Sequence, residues 1–273
     1  MIRLARTVAL AVILGLGIVN LYWAISAWTL SDAQAYWDAA LRLRAGEPLY
    51  PALADVDASA VYRYAPWFAW LAVPWTYLPG WLAGALWSGV LLVASGMALV
   101  PLVRARAWVA IAFFGPILIG ISAVGNVHAL LVAGLVHAVD RRPGPLMIGL
   151  AASLKIFPIL LTIVYLGRRE WGRVALSLAA AGLLWAPAFL VYDLRGYPTD
   201  AGQAAFLWSW PPLYAVVVAA ALVAASALAR SRYAWLAAAT AVALSLPRFF
   251  VYDVSYLLLG ATPPARPPAP RSG

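Results

Sequence analysis

Carboxylates gathered beside aromatic side chains are the part of this sequence best suited to chemistry. Five of the ten acidic residues lie between Asp32 and Asp57, in the longest polar stretch of an otherwise apolar chain. Asp32 stands one residue past a long apolar run, where a membrane helix would meet water. A carboxylate at that boundary can accept a proton from a substrate whose lipid part stays in the membrane. Asp32 is therefore a candidate general base.

A structural role is the alternative for Asp32. Ser31 and Gln34 have the spacing of a capping box, which would make Asp32 the first helical residue, stabilised by the helix dipole. The helix would end near Gly46 and would lie at the membrane surface. Its expected apolar stripe consists of Ala33, Tyr36, Trp37, Ala40 and Leu41.

Lys155 is the only lysine in a chain with eighteen arginines, and it interrupts an apolar segment. A charge at membrane depth costs roughly 2.5–3.5 kcal/mol on insertion scales, so it marks a candidate functional site. Arg248 and Asp253 flank a second such turn. Two alternatives stay open: Lys155 could pair with an acid or reach the interface, and Arg248 could pair with Asp253.

His128 follows the turn formed by Gly125 and Asn126. A lone histidine is more often a buried hydrogen-bonding group than a ligand. His137 comes nine residues later, half a helical turn out of phase, so the two cannot share a metal on one helix face. The chain has no cysteine, and no acidic pair has a spacing typical of Mg²⁺ binding. The sequence therefore predicts no metal and no cofactor.

The composition predicts an all-α integral membrane protein. Apolar residues make up 65% of the chain and charged residues 11%, whereas soluble domains carry about 25% charged residues. The first apolar run, Thr7–Leu30, is too long for a signal peptide and lacks a small-residue cleavage site, so we expect it to be retained. The net charge of +9 comes from short arginine clusters between apolar runs. This pattern favours a membrane topology over nucleic-acid binding.

The arginine clusters predict which side of the membrane each loop faces. With the clusters in the cytoplasm, that side holds thirteen arginines and two acids, and the outer side holds six cations and eight acids. Both termini would be cytoplasmic. We expect one polytopic domain over 1–262, an extracytoplasmic catalytic loop over 31–65 and a Pro-rich cytoplasmic tail over 263–273. The predicted full crossings are Thr7–Leu30, Gly80–Val103, Val174–Tyr192 and Phe206–Ala229.

Three segments between arginine clusters are too short for two crossings, which need roughly 40 residues. We predict that each rises partway and turns back as a short re-entrant hairpin. Irregular backbone at membrane depth is tolerated where it lines a watery cavity, so the polar tips should meet at one level. The segments and their turns are 106–141 with Gly125-Asn126, 142–168 with Lys155 to Pro158, and 232–266 with Pro247-Arg248.

Several short motifs, in this order along the chain, resemble those of glycosyltransferase family 87. They are Tyr36-Trp37-Asp38-Ala39-Ala40, Gly46-Glu47-Pro48-Leu49-Tyr50, Tyr62-Arg63-Tyr64-Ala65-Pro66, Gly125-Asn126-Val127-His128, the run from Gly149 to Pro158, and Tyr252-Asp253. That family belongs to the GT-C class, which uses polyprenyl-phosphate sugars, and includes bacterial phosphatidylinositol-mannoside mannosyltransferases. The chain departs from the family pattern at Ala65, where Pro is usual, and at Asn126, where Gln is usual. It is also shorter than ordinary members.

The resemblance implies a GT-C-like bundle of full crossings, re-entrant hairpins and an outer interfacial helix. It implies transfer of a sugar, with mannose expected, from a polyprenyl-phosphate donor to a lipid or glycan acceptor outside the cytoplasm. Asp32 would match the catalytic acid and Lys155 a donor-phosphate contact. We expect Arg248 and Arg63 to hold the phosphate as well. The substrate-binding candidates are Tyr36, Asp38, Tyr64, Asn126, His128 and Asp253.

The chemistry of such a transfer agrees with these residue types. A lipid phosphate is already a good leaving group, so the reaction needs a base for the acceptor hydroxyl and cations for the departing phosphate. In-line attack would invert the anomeric centre. A transporter or flippase with a polar site at broken helices is the main alternative, although we find no inverted repeat. A non-catalytic assembly protein would leave the acidic loop unexplained. If the site is real, Asp32, Lys155 and Arg248 must line one cavity.

Overall fold

The computed structural model describes residues 2–26, 28–51, 61–199, 205 and 207–262. These residues form helices and turns without a β-strand, as the sequence predicts. The predicted tail over 263–273 and residues 52–60 of the predicted catalytic loop lie outside the described residues. That part of the predicted domain organisation stays a prediction.

The described part of the chain contains eleven α-helices and three 3₁₀ segments. The α-helices are α1 Ile2–Ser26, α2 Ser31–Ala45, α3 Pro66–Ala72, α4 Gly80–Arg104, α5 Trp108–Val124, α6 His128–Ala138, α7 Gly144–Leu154, α8 Thr162–Arg168, α9 Trp171–Val191, α10 Pro211–Ala227 and α11 Ala234–Ser245. The 3₁₀ segments are Val73–Tyr77, Phe157–Leu161 and Val251–Ala261. Segment 66–77 is thus α3 followed by a 3₁₀ turn.

Two helices of the described residues are long and apolar enough to cross a membrane by length and composition. They are α4 and α9, with 25 and 21 residues, and they match two of the four predicted crossings. Helices α1 and α10 occupy the other two, but α10 has only 17 residues, fewer than the roughly 20 needed to span. Helix α9 leaves Leu183 and Leu190 74% and 83% exposed. Apolar surface of this kind suits contact with lipid.

The three predicted turns are present, and each joins two short helices. Helix α5 ends at Gly125, whose φ of 77° lies in the left-handed region, and α6 starts at His128. Helix α7 ends at Lys155, which is extended, and a 3₁₀ turn follows. Helix α11 ends at Leu246, and the last 3₁₀ segment begins after Phe250. We call these three turns the hairpin tips.

The ends of the hairpins opposite the tips are held together by arginine contacts. Arg168 lies 2.5 Å from the Asp140 carboxylate, so the segment between these residues returns to its starting level. Arg168 also donates to the carbonyl of Ala229, at the end of α10. Arg173 bonds the carbonyl of Arg141 and pairs with Glu170. The arginine clusters at Arg141/Arg142 and Arg168/Arg169/Arg173 therefore meet at one end, beside the residues that follow α10.

Helix α2 begins differently from the prediction. Leu30, with φ of 51°, precedes the first helical residue, Ser31, and no side chain caps this end. The capping box is therefore wrong, because the carbonyl of Ala123 accepts the Leu30 N–H and fixes this turn instead. The predicted stop at Gly46 is confirmed, with φ of 71°. The buried face is Ala35, Tyr36, Ala39 and Ala40, rotated from the predicted stripe because α3 and the 3₁₀ segment after it cover this side.

Candidate active site

A cavity of about 830 Å³ lies between the start of α2 and the three hairpin tips. Its size is typical of pockets for small molecules. Segment 61–64, the end of α9 and the residues after it complete the wall. Eight predicted site residues line this cavity: Asp32, Tyr36, Arg63, Tyr64, Asn126, Lys155, Arg248 and Asp253. Asp32, Lys155 and Arg248 thus line one cavity, as a common site requires.

Asp32 presents its carboxylate to the cavity from the first turn of α2. Its Oδ2 accepts a hydrogen bond of 2.6 Å from Nδ2 of Asn126. Burial raises the pKa of Asp32 above its ordinary value, and the Asn126 hydrogen bond and the charges of Lys155 and Arg248 oppose that rise. A carboxylate with a raised pKa is a better proton acceptor, which suits a general base.

The tip between α5 and α6 holds the start of α2 in place. The N–H of Leu30 donates to the carbonyl of Ala123 at 2.9 Å. The indole N–H of Trp87 donates to the carbonyl of Gly125 at 2.8 Å, and the N–H of Val127 donates to the Tyr36 hydroxyl at 3.2 Å. Asp32 is therefore positioned by a segment more than ninety residues away in the chain.

Gly125 allows this close approach, and its replacement should destabilise the fold. A Cβ on Gly125 would lie 2.7 Å from the Cβ of Ala33, at a backbone conformation that side chains disfavour. We expect Gly125→Ala to lower the thermal midpoint of the purified protein, at a cost of about 1–3 kcal/mol. Gly115→Ala in the same helix is the control, because a Cβ there meets no atom within 4 Å. Equal midpoints for the two variants would contradict this packing.

Lys155 ends α7 and brings its ammonium to the cavity wall. Its Nζ lies 3.9 Å from Oδ1 of Asp253 and 4.7 Å from the centre of the Tyr252 ring. That separation from Asp253 permits charge attraction but exceeds a hydrogen bond. Asp253 instead accepts the N–H of Phe250 at 2.9 Å. Among the described residues no acceptor hydrogen-bonds to Nζ, so its three donors can serve an anionic ligand.

Two arginines add positive charge to the same wall. The Arg248 guanidinium lies 4.8 Å from the centre of the Phe250 ring. Arg63 is held through its carbonyl, which accepts the hydroxyl of Tyr197 at 3.1 Å. With Lys155 they make three cations against two carboxylates among the lining residues that the structure describes. A cavity with this balance attracts anions.

Tyr36 and Tyr64 form a rigid aromatic part of the wall. Their hydroxyls are 3.1 Å apart, and their rings pack edge to face at 5.1 Å. The hydroxyl of Tyr50 donates to the carbonyl of Tyr64 at 2.7 Å. These contacts fix the segment that carries Arg63, so its side chain starts from a well-defined backbone.

The structure does not bring Asp38 and His128 to the cavity. Asp38 lies further along α2 and accepts a 2.7 Å hydrogen bond from Gln34. His128 is fully buried beneath the tip, where Nε2 lies 3.0 Å from the hydroxyl of Ser255 and the ring packs on Tyr256. Their assignment as substrate-binding residues stays a prediction.

Sequence reasoning missed several lining residues. Tyr252 lies on the cavity wall between Lys155 and Asn126. The Nδ2 of Asn126 lies 3.4 Å from the Tyr252 hydroxyl, and Nζ of Lys155 lies over the Tyr252 ring. The sequence could have indicated Tyr252 as a site residue, because it precedes Asp253 in the same motif. The others are Trp185, Tyr197, Pro198, Thr199 and Trp208. Trp185 and Trp208 lie within predicted crossings, and the other three lie between those crossings, where no motif marked them.

A second cavity, of about 460 Å³, lies on the other side of α2. Its wall is apolar and aromatic, with Trp37, Trp75 and Trp87 among its residues and no charged side chain. Tyr36 lines both cavities. Because a general base and an anion-binding group are both charged, the larger cavity is the candidate active site.

The described residues contain no group of three or more His, Asp or Glu side chains placed to hold a metal ion. The expected absence of a metal stays a prediction.

The comparisons with known proteins place the chain in one family. The family model for glycosyltransferase family 87 matches residues 62–199, just over half of the chain. No curated protein and no solved structure matches significantly. The matched span contains Arg63, Asn126 and Lys155 of the cavity wall, together with two of the three hairpin tips. The chain belongs to glycosyltransferase family 87.

Proposed function

We propose that the larger cavity transfers a sugar, with mannose expected, from a polyprenyl-phosphate donor to a hydroxyl of a lipid or glycan acceptor. The observation that carries the proposal is the joint lining of one cavity by the Asp32 carboxylate and three cations. Lys155, Arg248 and Arg63 match a lipid phosphate in charge. Asp32 supplies the proton acceptor that an attacking hydroxyl needs.

The reaction follows from these placements. The acceptor hydroxyl gives its proton to Asp32, and its oxygen attacks the anomeric carbon of the sugar. The bond between that carbon and the phosphate oxygen breaks, and the electron pair leaves with the phosphate, whose charge the cations stabilise. Attack opposite the leaving phosphate inverts the anomeric centre. No proton donor is required for the phosphate, since it departs as an anion.

The apolar cavity on the other side of α2 gives this site a place for a lipid chain. Its rim includes Leu71 and Val90, which are 59% and 39% exposed. Val90 lies on α4, a helix long enough to cross the membrane. We place the hydrocarbon part of a lipid-linked substrate here, with its polar end directed past Tyr36 toward Asp32.

The proposed location is the cell membrane, with several crossings, both termini in the cytoplasm and the active site outside. Helices α4 and α9 support the crossings by length and composition. The arginine contacts at the end opposite the cavity support the orientation, because positively charged loops stay in the cytoplasm.

Single cysteines test this orientation, because the natural chain has none. Glu47 and Arg142 are both exposed. Glu47 follows α2, whose first turn lines the cavity, and Arg142 is next to Arg141, one of the arginine contacts. In intact cells an impermeant thiol reagent should label Glu47→Cys and leave Arg142→Cys unlabelled until the cells are opened. The reverse pattern would overturn the proposed topology.

Sugar transfer itself is tested with purified protein in liposomes. The donor is polyprenyl-phosphate-mannose with a radiolabelled sugar, and a membrane lipid extract supplies acceptors. Label should move from the donor to the acceptor fraction, with release of polyprenyl phosphate. Donors that carry other sugars test the expectation of mannose separately. Movement of intact donor across the bilayer, without release of sugar, would instead establish the flippase alternative.

A further inference from the structure

Asn126 lies at the tip between α5 and α6, and its side-chain amide has two close partners besides the Tyr252 hydroxyl, which lies 3.4 Å from Nδ2. Oδ1 accepts the backbone N–H of His128 at 2.8 Å. Nδ2 donates to Oδ2 of Asp32 at 2.6 Å. The residue is only 2% exposed, so water cannot easily replace either partner.

The direction of both hydrogen bonds is fixed by chemistry. A backbone N–H can only donate, so the amide atom facing His128 must be the oxygen. The amide nitrogen then faces the carboxylate of Asp32, which accepts its hydrogen. One Asp32 oxygen is thereby engaged, and no described residue hydrogen-bonds to the other oxygen, Oδ1.

The backbone on both sides of Asn126 is held independently of this amide. Gly125 is fixed by its left-handed conformation and by the indole of Trp87. Val127 donates to Tyr36, and the ring of His128 is anchored beneath the tip. A rigid turn therefore holds Asn126 next to Asp32. Because the Asn126 side chain is already ordered, it loses little conformational freedom when substrate binds.

We propose that Asn126 is a positioning residue for the base: it holds Oδ2 of Asp32 and turns Oδ1 toward the acceptor hydroxyl. This inference rests on the proposed function of Asp32 and replaces the sequence-based assignment of Asn126 to substrate binding. The hydrogen bond also favours the ionised carboxylate, and so lowers the pKa of Asp32 against the rise caused by burial.

Several other groups act on the charge of Asp32, and a pH test must hold them constant. The cations are Lys155 from one tip and Arg248 from another. Tyr64, Tyr252 and, on its own helix, Tyr36 also interact with the carboxylate. Substitutions at Asn126 change none of these side chains, but they also remove the 3.4 Å contact with the Tyr252 hydroxyl. Tyr252→Phe in the wild-type background shows how much of a shift in the Asp32 titration comes from that contact.

Two substitutions separate the contact with Asp32 from the contact with His128. Asn126→Asp keeps the shape and can still accept the His128 N–H, but it places a second acceptor against Asp32. Two carboxylates at this distance share a proton, which raises the pH at which Asp32 ionises. Asn126→Ser can also accept the His128 N–H, but it is too short to reach Asp32. Ser122→Ala is the control, since Ser122 is buried in the last turn of α5, just before the tip, and contacts Leu118 and Ser95.

The readout is kcat for mannose transfer from polyprenyl-phosphate-mannose, measured across pH with a membrane lipid extract as acceptor. Asn126→Ser should lower kcat about 10- to 100-fold, with little change in the donor KM. The acid limb of the kcat–pH profile should move to higher pH in Asn126→Ser, and by a larger amount in Asn126→Asp. The acid limb of Ser122→Ala should lie at the same pH as that of the wild type. A loss of kcat with an unmoved limb would overturn the proposal and make Asn126 a structural residue.

A second readout does not depend on turnover. The carboxyl stretch of Asp32, identified in infrared spectra by subtraction of Asp32→Asn, can be titrated in each variant. An unchanged midpoint in Asn126→Ser and Asn126→Asp would overturn the positioning role even if sugar transfer is never observed. If Asp32→Asn remains fully active while the midpoints shift, the base assignment fails and the contact between Asn126 and Asp32 stands.

Discussion

Replacement of Asp32 by Asn should abolish sugar transfer while the folded protein stays in the membrane. The amide keeps the shape of the carboxylate but cannot take the proton of the acceptor hydroxyl. A general base contributes typically 10²–10⁴-fold, so the initial rate should fall by about that factor. The measurement is transfer of label from polyprenyl-phosphate-mannose by purified protein in liposomes. Thermal midpoints of the variants establish that the fold is retained.

Asp38→Asn is the matched control, because it makes the same change on the same helix outside the cavity. It should retain near-normal turnover. Loss of activity in Asp38→Asn but not in Asp32→Asn would mean that the base is misassigned. If neither change matters, Asp32 is only an acidic residue at a helix start.

As the pH is lowered, the wild-type enzyme should lose activity at a higher pH than it would if Asp32 had the pKa of an ordinary aspartate. Burial raises the pKa of Asp32, and below its pKa the carboxyl is protonated and cannot act as a base. The acid limb of kcat should therefore lie above the ordinary value of about 3.9. Any residual activity of Asp32→Asn should show no acid limb in this pH range.

Replacement of Lys155 by Met should impair use of the donor. No described residue accepts a hydrogen bond from Nζ, since Asp253 is too far for one. Removal of one preorganised donor to a developing anion costs about 10²–10³-fold, and we expect a loss of that size in kcat/KM. Lys155→Arg should retain part of the activity, because the charge survives while its geometry changes.

Equilibrium binding of polyprenyl phosphate to purified variants decides the role of Lys155. Lys155→Met should bind more weakly than the wild type. Arg142→Met, which removes an exposed cation at the arginine end, should bind normally. Unchanged affinity in Lys155→Met, together with equal destabilisation by Asp253→Asn, would make the two residues a structural ion pair.

The hairpin turns could be predicted from sequence because local length decides them. The distance between arginine clusters limits how far a chain can rise before it returns, and Gly125 and Pro158 mark where helices stop. Since the tips must reach one level, the meeting of Lys155 with Arg248 followed from the same argument. The structure brings both to one cavity with Asp32.

Features that depend on distant contacts could not be predicted. Leu30 adopts a left-handed conformation because its N–H bonds Ala123, and nothing near Leu30 in the sequence signals this. The face of α2 that lines the cavity, by contrast, could have been predicted. Asp38 lies about 240° around the helix from Asp32, whereas Tyr36 lies about 40° away. Helical periodicity therefore predicts that Asp38 points away from Asp32, whereas the motif resemblance made Asp38 a substrate-binding candidate.

The position of the single lysine has a practical consequence for chemical labelling. Because the chain has one lysine, an amine-selective reagent can modify only its ε-amine and the terminal α-amine. The Lys155 side chain is 18% exposed and lies on the cavity wall. Acylation at that one position therefore reports on the cavity alone. Protection by added lipid phosphates would measure occupancy directly in native membranes, without a mutation and without knowledge of the acceptor.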